Sequence, residues 1–262
     1  MIVKLTGGLG NQLFCAAFGF SVAKARGDQV FFDKSGYENE TLRHYELDAY
    51  DLDMKFKKSV GFIYKEKSAL FDPDVYVSHN TPYLDTTFEG YWQNEKYFDR
   101  ELVYNLFRLP KGQPNEATLA MARKIDACPD SCFIGVRRAD YLWPERINYH
   151  GVMEQQYYIE ALRLLPKDTR FFVFTDDIRW ATDYLCNFDA IVDVNGPNEK
   201  HWDIWLMSLC THAILANSTF HWWGCFLGAD RHGGTVIAPK RWFADEKVNA
   251  ECQIVPSRWI RI

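Results

Sequence analysis

Residues 131–141 read Ser-Cys-Phe-Ile-Gly-Val-Arg-Arg-Ala-Asp-Tyr, and residues 170–177 read Arg-Phe-Phe-Val-Phe-Thr-Asp-Asp. Each stretch contains a short apolar run that stops at charged residues. Such runs are typical of strands in a parallel sheet that helices cover on both faces. Because ligands of such sheets bind outside the carboxyl ends of the strands, the residues after each run are candidates for a functional site.

Helix and strand patterns alternate on both sides of these runs. The N-terminal part predicts a strand at Ile2–Leu5, a glycine turn, a helix from about Asn11 to Arg26 and a strand at Gln29–Phe32. After Pro114 the chain predicts helices near 116–127, 153–165, 178–185, 201–210 and 219–228, with strands at 132–136, 170–174, 190–194, 213–216 and 235–238. Residues 34–110 are irregular, and only pieces of them are predicted to be helical. The pattern therefore predicts two α/β halves that meet between about residues 112 and 130.

The composition of the 262 residues is that of a globular protein. A net charge of −5 gives no bulk attraction to nucleic acid, so no nucleic-acid partner is expected. The chain has 9 Trp, 14 Tyr and 19 Phe, most of which we expect in the core, although carbohydrate sites also use aromatic faces. No signal-peptide pattern, membrane span or Cys-x-x-Cys pair is visible, which favours a cytoplasmic protein with reduced thiols.

A glycine-rich segment, Gly-Gly-Leu-Gly-Asn-Gln at 7–12, follows the first predicted strand. Glycines allow a ligand to approach backbone N–H groups closely at a helix N-terminus. The segment is not the dinucleotide fingerprint, because the third glycine position is Leu13, and it lacks the Lys-Ser/Thr of a P-loop. The simpler interpretation is a tight turn with Asn11 as the helix cap.

Two consecutive arginines, Arg137 and Arg138, follow the apolar run 132–136. A guanidinium group is costly to bury unless it faces an anion, and its planar fork matches phosphate oxygens. Asp140 could hold one of the two guanidinium groups. Surface salt bridges are the alternative, but the place at a strand end favours a diphosphate clamp.

Two further strands are followed by polar residues. The sequence Thr175-Asp176-Asp177 presents carboxylates that could bind a base or a ribose hydroxyl, and helix capping by Thr175 or Asp176 is equally compatible with it. Asn217, Ser218 and Thr219 precede a helix whose first N–H groups suit phosphate. Trp222 and Trp223 within that helix are expected to be core residues.

No metal site is predicted. Asp51-Leu52-Asp53 and Asp72-Pro73-Asp74 match the loose D-x-D pattern of metal-dependent glycosyltransferases, but neither follows a buried strand. We therefore interpret both as exposed loops. The histidines show no metal-ligand spacing.

Several blocks occur together in an order that resembles the α-1,2-fucosyltransferases of glycosyltransferase family 11, in particular their soluble bacterial members. The resemblance covers almost the whole chain and rests on these blocks: residues 7–14 (GGLGNQLF), 90–93 (GYWQ) with 97–99 (YFD), 137–141 (RRADY), 171–177 (FFVFTDD), and 201–203 (HWD) through 216–223 (ANSTFHWW).

The resemblance implies a GT-B architecture, in which two Rossmann-like domains face an interdomain cleft. Residues 1–120 would form the acceptor-side domain and residues 121–262 the nucleotide-sugar domain. It implies GDP-β-L-fucose as donor, inversion at the anomeric carbon, and neither a metal nor another cofactor. The acceptor would be the 2-hydroxyl of a terminal galactose on an oligosaccharide or lipid-linked glycan, in O-antigen or other surface-glycan synthesis. The resemblance also allows peripheral association with the inner face of the membrane.

The resemblance also implies roles for individual residues. Arg137 is the expected main contact of the diphosphate and, with Asn11 and Asp140, a catalytic candidate. The other expected donor-binding residues are Arg138, Asp176, Asn217, Ser218, Thr219 and Phe220. Gly8, Gly10, Asn11 and Gln12 would form a loop near the donor–acceptor junction. Asp140 is the nearest carboxylate in sequence, and its role is either that of a base or the orientation of Arg138.

One position departs from the family motif, which usually reads His-x-Arg-Arg-x-Asp, because Gly135 stands where the His is expected. Two alternatives follow from this departure and from the open donor specificity. The chain would be a glycan- or nucleotide-binding protein with impaired catalysis, or a transferase that uses another GDP-linked deoxysugar.

Overall fold

The computed structural model describes residues 1–66, 86–185 and 188–262. The chain divides into two compact units, Met1–Lys111 (unit 1) and Gly112–Ile262 (unit 2). The expected division between residues 120 and 121 would cut the helix Glu116–Asp126. That helix packs against the helix His201–Ser208 and belongs to unit 2.

Unit 1 is a parallel sheet with the strand order β2-β1-β4-β3. Its elements are β1 (Ile2–Lys4), α1 (Leu9–Arg26), β2 (Phe31–Asp33), β3 (Phe62–Lys65), β4 (Thr86–Glu89) and α2 (Arg100–Phe107). The α1 helix ends at Gly27, which adopts φ 68°, a left-handed conformation that glycine accepts at little cost. The first β-α-β unit thus lies within two residues of its predicted place, whereas β3, β4 and α2 lie in the region predicted to be irregular.

The core of unit 1 is aromatic. The rings of Phe18 on α1 and Trp92 after β4 are stacked with centroids 4.0 Å apart, and Phe88 and Tyr97 meet the Trp92 ring edge-on. Trp92 is fully buried. This cluster attaches the segment after β4 to the long α1 helix, so that the carboxyl end of β4 has a fixed place beside the carboxyl end of β1.

Unit 2 is a parallel sheet of β5 to β10 in the order β10-β9-β8-β5-β6-β7. Its strands are β5 (Ser131–Val136), β6 (Arg170–Thr175), β7 (Ala190–Ile191), β8 (His212–Ile214), β9 (Val236–Ala238) and β10 (Ile260–Arg261). Its helices are α3 (Glu116–Asp126), α4 (Pro144–His150), α5 (Gln155–Leu162), α6 (Ile178–Tyr184), α7 (His201–Ser208), α8 (Thr219–Leu227) and α9 (Glu246–Glu251). The α/β fold with parallel sheets is confirmed, and α4, α9 and β10 are additions to the predicted elements.

The central strand β5 is buried along its whole length. Cys132, Ile134 and Val136 pack with Tyr158 of α5 and Trp180 of α6 in one core cluster. Trp222 and Trp223 of α8 are fully buried, as expected for core residues. The sheet therefore has helices on both faces, and polar groups can concentrate at its carboxyl edge.

The described cysteines are free thiols: Cys15, Cys128, Cys132, Cys210, Cys225 and Cys252. Burial raises the pKa of Cys15 to about 12 and raises the pKa of Cys132 well above its ordinary value, so these thiols are poor nucleophiles. Within the three described ranges, no helix is both long and apolar enough to span a membrane.

Candidate functional site

The carboxyl edge of the unit 2 sheet brings together the polar residues that follow three strands. Strands β8, β5 and β6 are parallel neighbours, and Val136 at the end of β5 lies opposite Thr175 at the end of β6. Residues that follow these strands must therefore emerge side by side. The edge carries Arg137 and Arg138 after β5, Asp176 after β6, and Asn217 to Thr219 after β8.

Arg137 lies in a cage of acidic and aromatic groups. Its Nη1 donates to Asp176 and its Nη2 to Asp140, while its guanidinium carbon lies 4.9 Å from the centroid of the Tyr141 ring. Burial acts to lower the pKa of Arg137, but the two carboxylates and Tyr141 outweigh burial and raise it. The guanidinium is thus a permanent cation with 20% of the side chain exposed.

Arg138 has hydrogen-bonding capacity that the structure leaves unused. Its Nε and Nη1 are buried and have no hydrogen-bond partner in the part of the chain that the structure describes. The nearest carboxylate oxygen, on Asp177, lies 3.6 Å from Nε, which is an ion pair but too long for a hydrogen bond. The guanidinium carbon lies 4.4 Å above the centre of the Trp180 ring. A buried cation with open donors has a high affinity for an anion that can complete them.

The two arginines face different layers of the unit. The charge of Arg137 acts to lower the pKa of His221 of α8, whereas the charge of Arg138 acts to lower the pKa of Tyr158 of α5. Arg138 also lies over the ring of Trp180 of α6. The side chains of Arg137 and Arg138 are 20% and 11% exposed, so neither forms an ordinary surface salt bridge. The two cations reach the sheet edge from opposite sides, which is suitable for an extended anion.

The expectation that Asp140 orients Arg138 is wrong. Its carboxylate binds Nη2 of Arg137 through Oδ1 and Nη1 of Arg146 through Oδ2, and Asp140 is 7% exposed. The reason is local geometry: Asp140 lies in a 3-10 helix, Ala139–Leu142, that turns its side chain back towards Arg137. Both oxygens of Asp140 are thus bound to guanidinium groups, and the carboxylate anchors Arg137.

The capping interpretations of the third cluster also need correction. Neither Thr175 nor Asp176 caps α6; the cap is Asp177, whose Oδ1 accepts the N–H of Trp180 at 3.0 Å. Thr175 instead accepts the N–H of Asp177 at 2.9 Å. Asp176 is therefore left for the arginines, since its Oδ1 accepts the backbone N–H of Arg138 at 2.8 Å.

The segment after β8 contains four residues that are expected to bind the donor. The amide of Asn217 is buried and donates to the carbonyls of His150 at 2.8 Å and Trp242 at 3.0 Å, so it fixes the surrounding loops. Ser218 is the N-cap residue of α8 but makes no side-chain capping bond. Thr219 and Phe220 begin the helix and are partly exposed. Donor contacts of Asn217, Ser218, Thr219 and Phe220 stay a prediction.

In unit 1 the glycine-rich segment is held from several sides. Gln12 is fully buried; its Nε2 donates to the carbonyls of Gly7 at 3.0 Å and His44 at 2.7 Å, and its Oε1 accepts the N–H of Glu46 at 2.9 Å. The amide of Gln12 is thus used inside the protein. Gly7 has φ 72°, which explains a glycine there.

The helix begins earlier than its sequence suggests. Gly8 is the N-cap residue of α1 and, as a glycine, has no side chain with which to cap the helix. Gly10 is buried within the first turn. Asn11 lies in the same turn, so the interpretation of Asn11 as the helix cap is wrong. Its Oδ1 instead accepts the Nε2 of Gln93 at 2.9 Å.

Gln93 is not among the residues expected at the site, although it lies in the GYWQ block. Trp92 before it adopts φ 54°, an unusual conformation for a bulky residue, and such strain is retained where the surrounding structure enforces it. The carboxylate of Glu66 accepts the N–H groups of Tyr91 at 2.8 Å and Trp92 at 2.9 Å. Glu66 and the Trp92 core thus present the Gln93 amide to Asn11 at the carboxyl ends of β4 and β1.

A metal site would require a cluster of ligand side chains. In residues 1–66, 86–185 and 188–262, no group of three or more His, Cys, Asp or Glu side chains could hold a metal ion. Asp51 and Asp53 lie in an exposed loop, as expected. Asp72-Pro73-Asp74 lies outside the described residues.

Comparisons with known proteins agree with this architecture. The family model described as glycosyl transferase family 11 matches residues 79–262. The chain is 32% identical to an α-1,2-colitosyltransferase of Escherichia coli over 100% of this chain and 98% of that protein, and 26% identical to the O-antigen biosynthesis glycosyltransferase WbnK of the same organism over 98% and 99%.

Among solved structures, the chain is similar to the α-1,6-fucosyltransferase NodZ soaked with GDP-fucose, with a TM-score of 0.53 and 15% identity over 87% of this chain and 92% of that chain. NodZ from Bradyrhizobium gives a TM-score of 0.55 at 13% identity, over 87% and 93%. At such identities the likeness shows the fold alone, and it confirms the expected GT-B class.

Proposed function

The chain belongs to glycosyltransferase family 11, and on that premise we propose that it transfers L-fucose from GDP-β-L-fucose to the 2-hydroxyl of a terminal galactose, with inversion, to form an α-1,2 linkage. The acceptor is an oligosaccharide or a lipid-linked glycan of the O-antigen type. With a lipid-linked acceptor, the transfer would take place at the cytoplasmic face of the membrane.

The observation that carries the proposal is the pair of cations at the carboxyl edge of the unit 2 sheet. Arg138 has two buried donors without partners in the described residues, and Arg137 is held rigidly by Asp140 and Asp176. A pyrophosphate has the negative charge and the several oxygens that these donors lack. Unit 2 is therefore proposed as the donor-binding half, with Ser218, Thr219 and Phe220 on the phosphate side.

The proposed reaction breaks the bond between the anomeric carbon and the phosphate oxygen and forms a bond between that carbon and the acceptor oxygen. The electron pair of the broken bond passes to the pyrophosphate, and the proton of the acceptor hydroxyl is released to the solvent. The growing negative charge on the leaving group must be stabilised, and one well-placed donor contributes about 3–4 kcal/mol to such a transition state. Arg137 and Arg138 supply this stabilisation without a metal ion.

Asp140 and Asp176 are proposed to act through the arginines. Asp140 joins Arg137 to Arg146, and Asp176 joins the side chain of Arg137 to the backbone of Arg138. Fixed carboxylates keep the guanidinium groups in place before the ligand arrives, so little reorganisation is needed during the reaction.

Unit 1 is proposed as the acceptor-binding half. Asn11 and Gln93 form an amide pair at the carboxyl ends of β1 and β4, and the half-exposed ring of Tyr91 lies two residues from Gln93. Amides and an aromatic face are the groups with which proteins bind sugar hydroxyls and C–H surfaces. Gly8 and Gly10 supply the close backbone approach at the start of α1.

A second donor has specific support. The E. coli relative at 32% identity is an α-1,2-colitosyltransferase, and colitose is fucose without its 3-hydroxyl. A GDP-linked deoxysugar of this kind would use the same pyrophosphate contacts, and the difference would lie in contacts to one hydroxyl group.

A donor and acceptor panel tests the proposal. The protein is incubated with GDP-fucose, GDP-colitose or GDP-mannose and with lactose or N-acetyllactosamine, and the linkage of the product is determined by methylation analysis. We expect an α-1,2-fucosylated product. Preference for GDP-colitose would move the donor to the second candidate. GDP binding without transfer from any donor would leave a binding protein and refute the proposal.

A further inference from the structure

Near the carboxyl end of β5, Gly135 packs so closely against His221 of α8 that a side chain would not fit. An ideal Cβ on Gly135 would lie 2.5 Å from Nδ1, 2.6 Å from Cγ and 2.9 Å from Cε1 of His221, all shorter than real Cβ contacts. These atoms belong to a ring with limited freedom to move, since His221 is 4% exposed in the first turn of α8. A side chain at residue 135 and the imidazole of residue 221 therefore exclude each other.

We propose that His221 is a positioning residue for the reaction: its imidazole, delivered from α8, occupies the place of the side chain that residue 135 lacks and forms the wall against which the Arg137 guanidinium is held. The inference rests on the proposed function, because it assigns His221 to the cation that binds the pyrophosphate. The glycine at residue 135 then makes room for His221, and it does not indicate a loss of activity.

The side on which His221 lies supports this role. Gly135 and Arg137 are two residues apart, so they project to the same face of the sheet. The opposite face, with Ile134 and Val136, packs on α5 and α6. The imidazole thus lies in the layer of Arg137 and not in that of Arg138.

Packing alone does not account for an imidazole here. Nδ1 of His221 is buried with no hydrogen-bond partner in the described ranges of the chain, and such a group costs stability that an apolar ring would not. Nε2 is not among the three ring atoms nearest to Gly135, so the other polar edge is turned away from β5. Burial and the charge of Arg137 lower the pKa of His221 to about 3, so the ring is neutral and does not repel the guanidinium.

The test compares H221F, the transplant G135H/H221S and its control G135F/H221S with the wild type. Phenylalanine fills the space, so H221F is expected to fold with an unfolding temperature no lower than that of the wild type. We expect its GDP affinity and its kcat with GDP-fucose to fall about tenfold while the KM for the acceptor is unchanged, since only the leaving-group contact is disturbed. H232F, on an exposed histidine of the same unit, controls for the chemical change.

The transplant returns an imidazole to the same space from the other side. We expect G135H/H221S to recover GDP affinity to within about threefold of the wild type, and G135F/H221S to remain as weak as H221F. Wild-type affinity and kcat in H221F would overturn the inference, as would equal recovery by the two double variants. Absence of GDP binding by the wild type would instead refute the proposed function, so the two failures are distinguishable.

Discussion

The backbone N–H of Arg138 donates a 2.8 Å hydrogen bond to Oδ1 of Asp176, across the boundary between two neighbouring parallel strands. The other oxygen of the same carboxylate accepts from Nη1 of Arg137. One acidic side chain thus sets the positions of both consecutive arginines. Its role follows from strand order, because β5 and β6 end side by side.

Substitution of Asp176 by Asn should separate an orienting role from direct contact with the nucleoside. An amide keeps the shape but removes the charge that holds Arg137, so we expect GDP affinity to fall about tenfold, or about 1.4 kcal/mol. Guanosine affinity should be unchanged, and both are measured by calorimetry. An equal loss for guanosine and GDP would show instead that Asp176 contacts the nucleoside.

The arginines themselves should differ in what they tolerate. We expect R137A to lower kcat with GDP-fucose by about a hundredfold to a thousandfold, the usual result of removing a main electrostatic contact. R138K keeps the charge but loses the planar fork, and a loss of about tenfold is expected. R179A is the matched control, because Arg179 is 92% exposed and pairs with Asp183 on the same helix. Wild-type turnover in both variants would contradict the clamp.

The Asn11–Gln93 hydrogen bond offers a test of the proposed acceptor half. We expect N11A and Q93A each to raise the acceptor KM about fivefold, with a double-variant effect smaller than the product, because the two amides act as one unit. GDP affinity should stay at the wild-type value. The control is Q156A, whose amide bonds to Glu160 on the surface of α5. A change in GDP affinity without a change in acceptor KM would place the pair on the donor side.

The buried imidazole of His221 should make stability depend on pH. Its folded pKa of about 3 lies below the ordinary value of 6.5, so the unfolded chain binds more protons and stability is lost as the pH falls below 6.5. Between pH 7.5 and pH 5 the wild type should lose about 2 kcal/mol relative to H221F. Urea unfolding at both pH values measures this difference. Parallel curves for the two proteins would show that His221 titrates normally.

Chelation of metal ions should have no effect on transfer. The proposed leaving-group contacts are guanidinium groups, so we expect the rate with GDP-fucose to stay within about twofold when EDTA is added. The measurement is initial velocity with and without EDTA, followed by addition of Mg²⁺ or Mn²⁺. Loss of activity that a divalent cation restores would show that the arginines alone do not stabilise the pyrophosphate.

The sequence determined the fold class and the sheet edge at which donor binding is proposed. Apolar runs such as 132–136 and 170–174, followed by charged residues, are local patterns, and they were enough to predict a parallel sheet with its polar residues at one edge. Local patterns did not predict the strands and the helix that lie within residues 34–110. The strand Phe62–Lys65 is short and largely exposed, and it shows no periodicity that would distinguish it from a loop.

Only the tertiary structure decided which groups meet at the edge. Asp140 binds Arg137 and Arg146, contrary to the expected contact with Arg138, and Asp176 reaches both arginines from 38 residues or more away. In the sequence, residue 135 is a glycine where a histidine is expected. In the fold, the imidazole of His221, which is 86 residues further along the chain, lies against that position. Such contacts depend on strand register and on the direction of side chains from neighbouring elements, which no local pattern encodes.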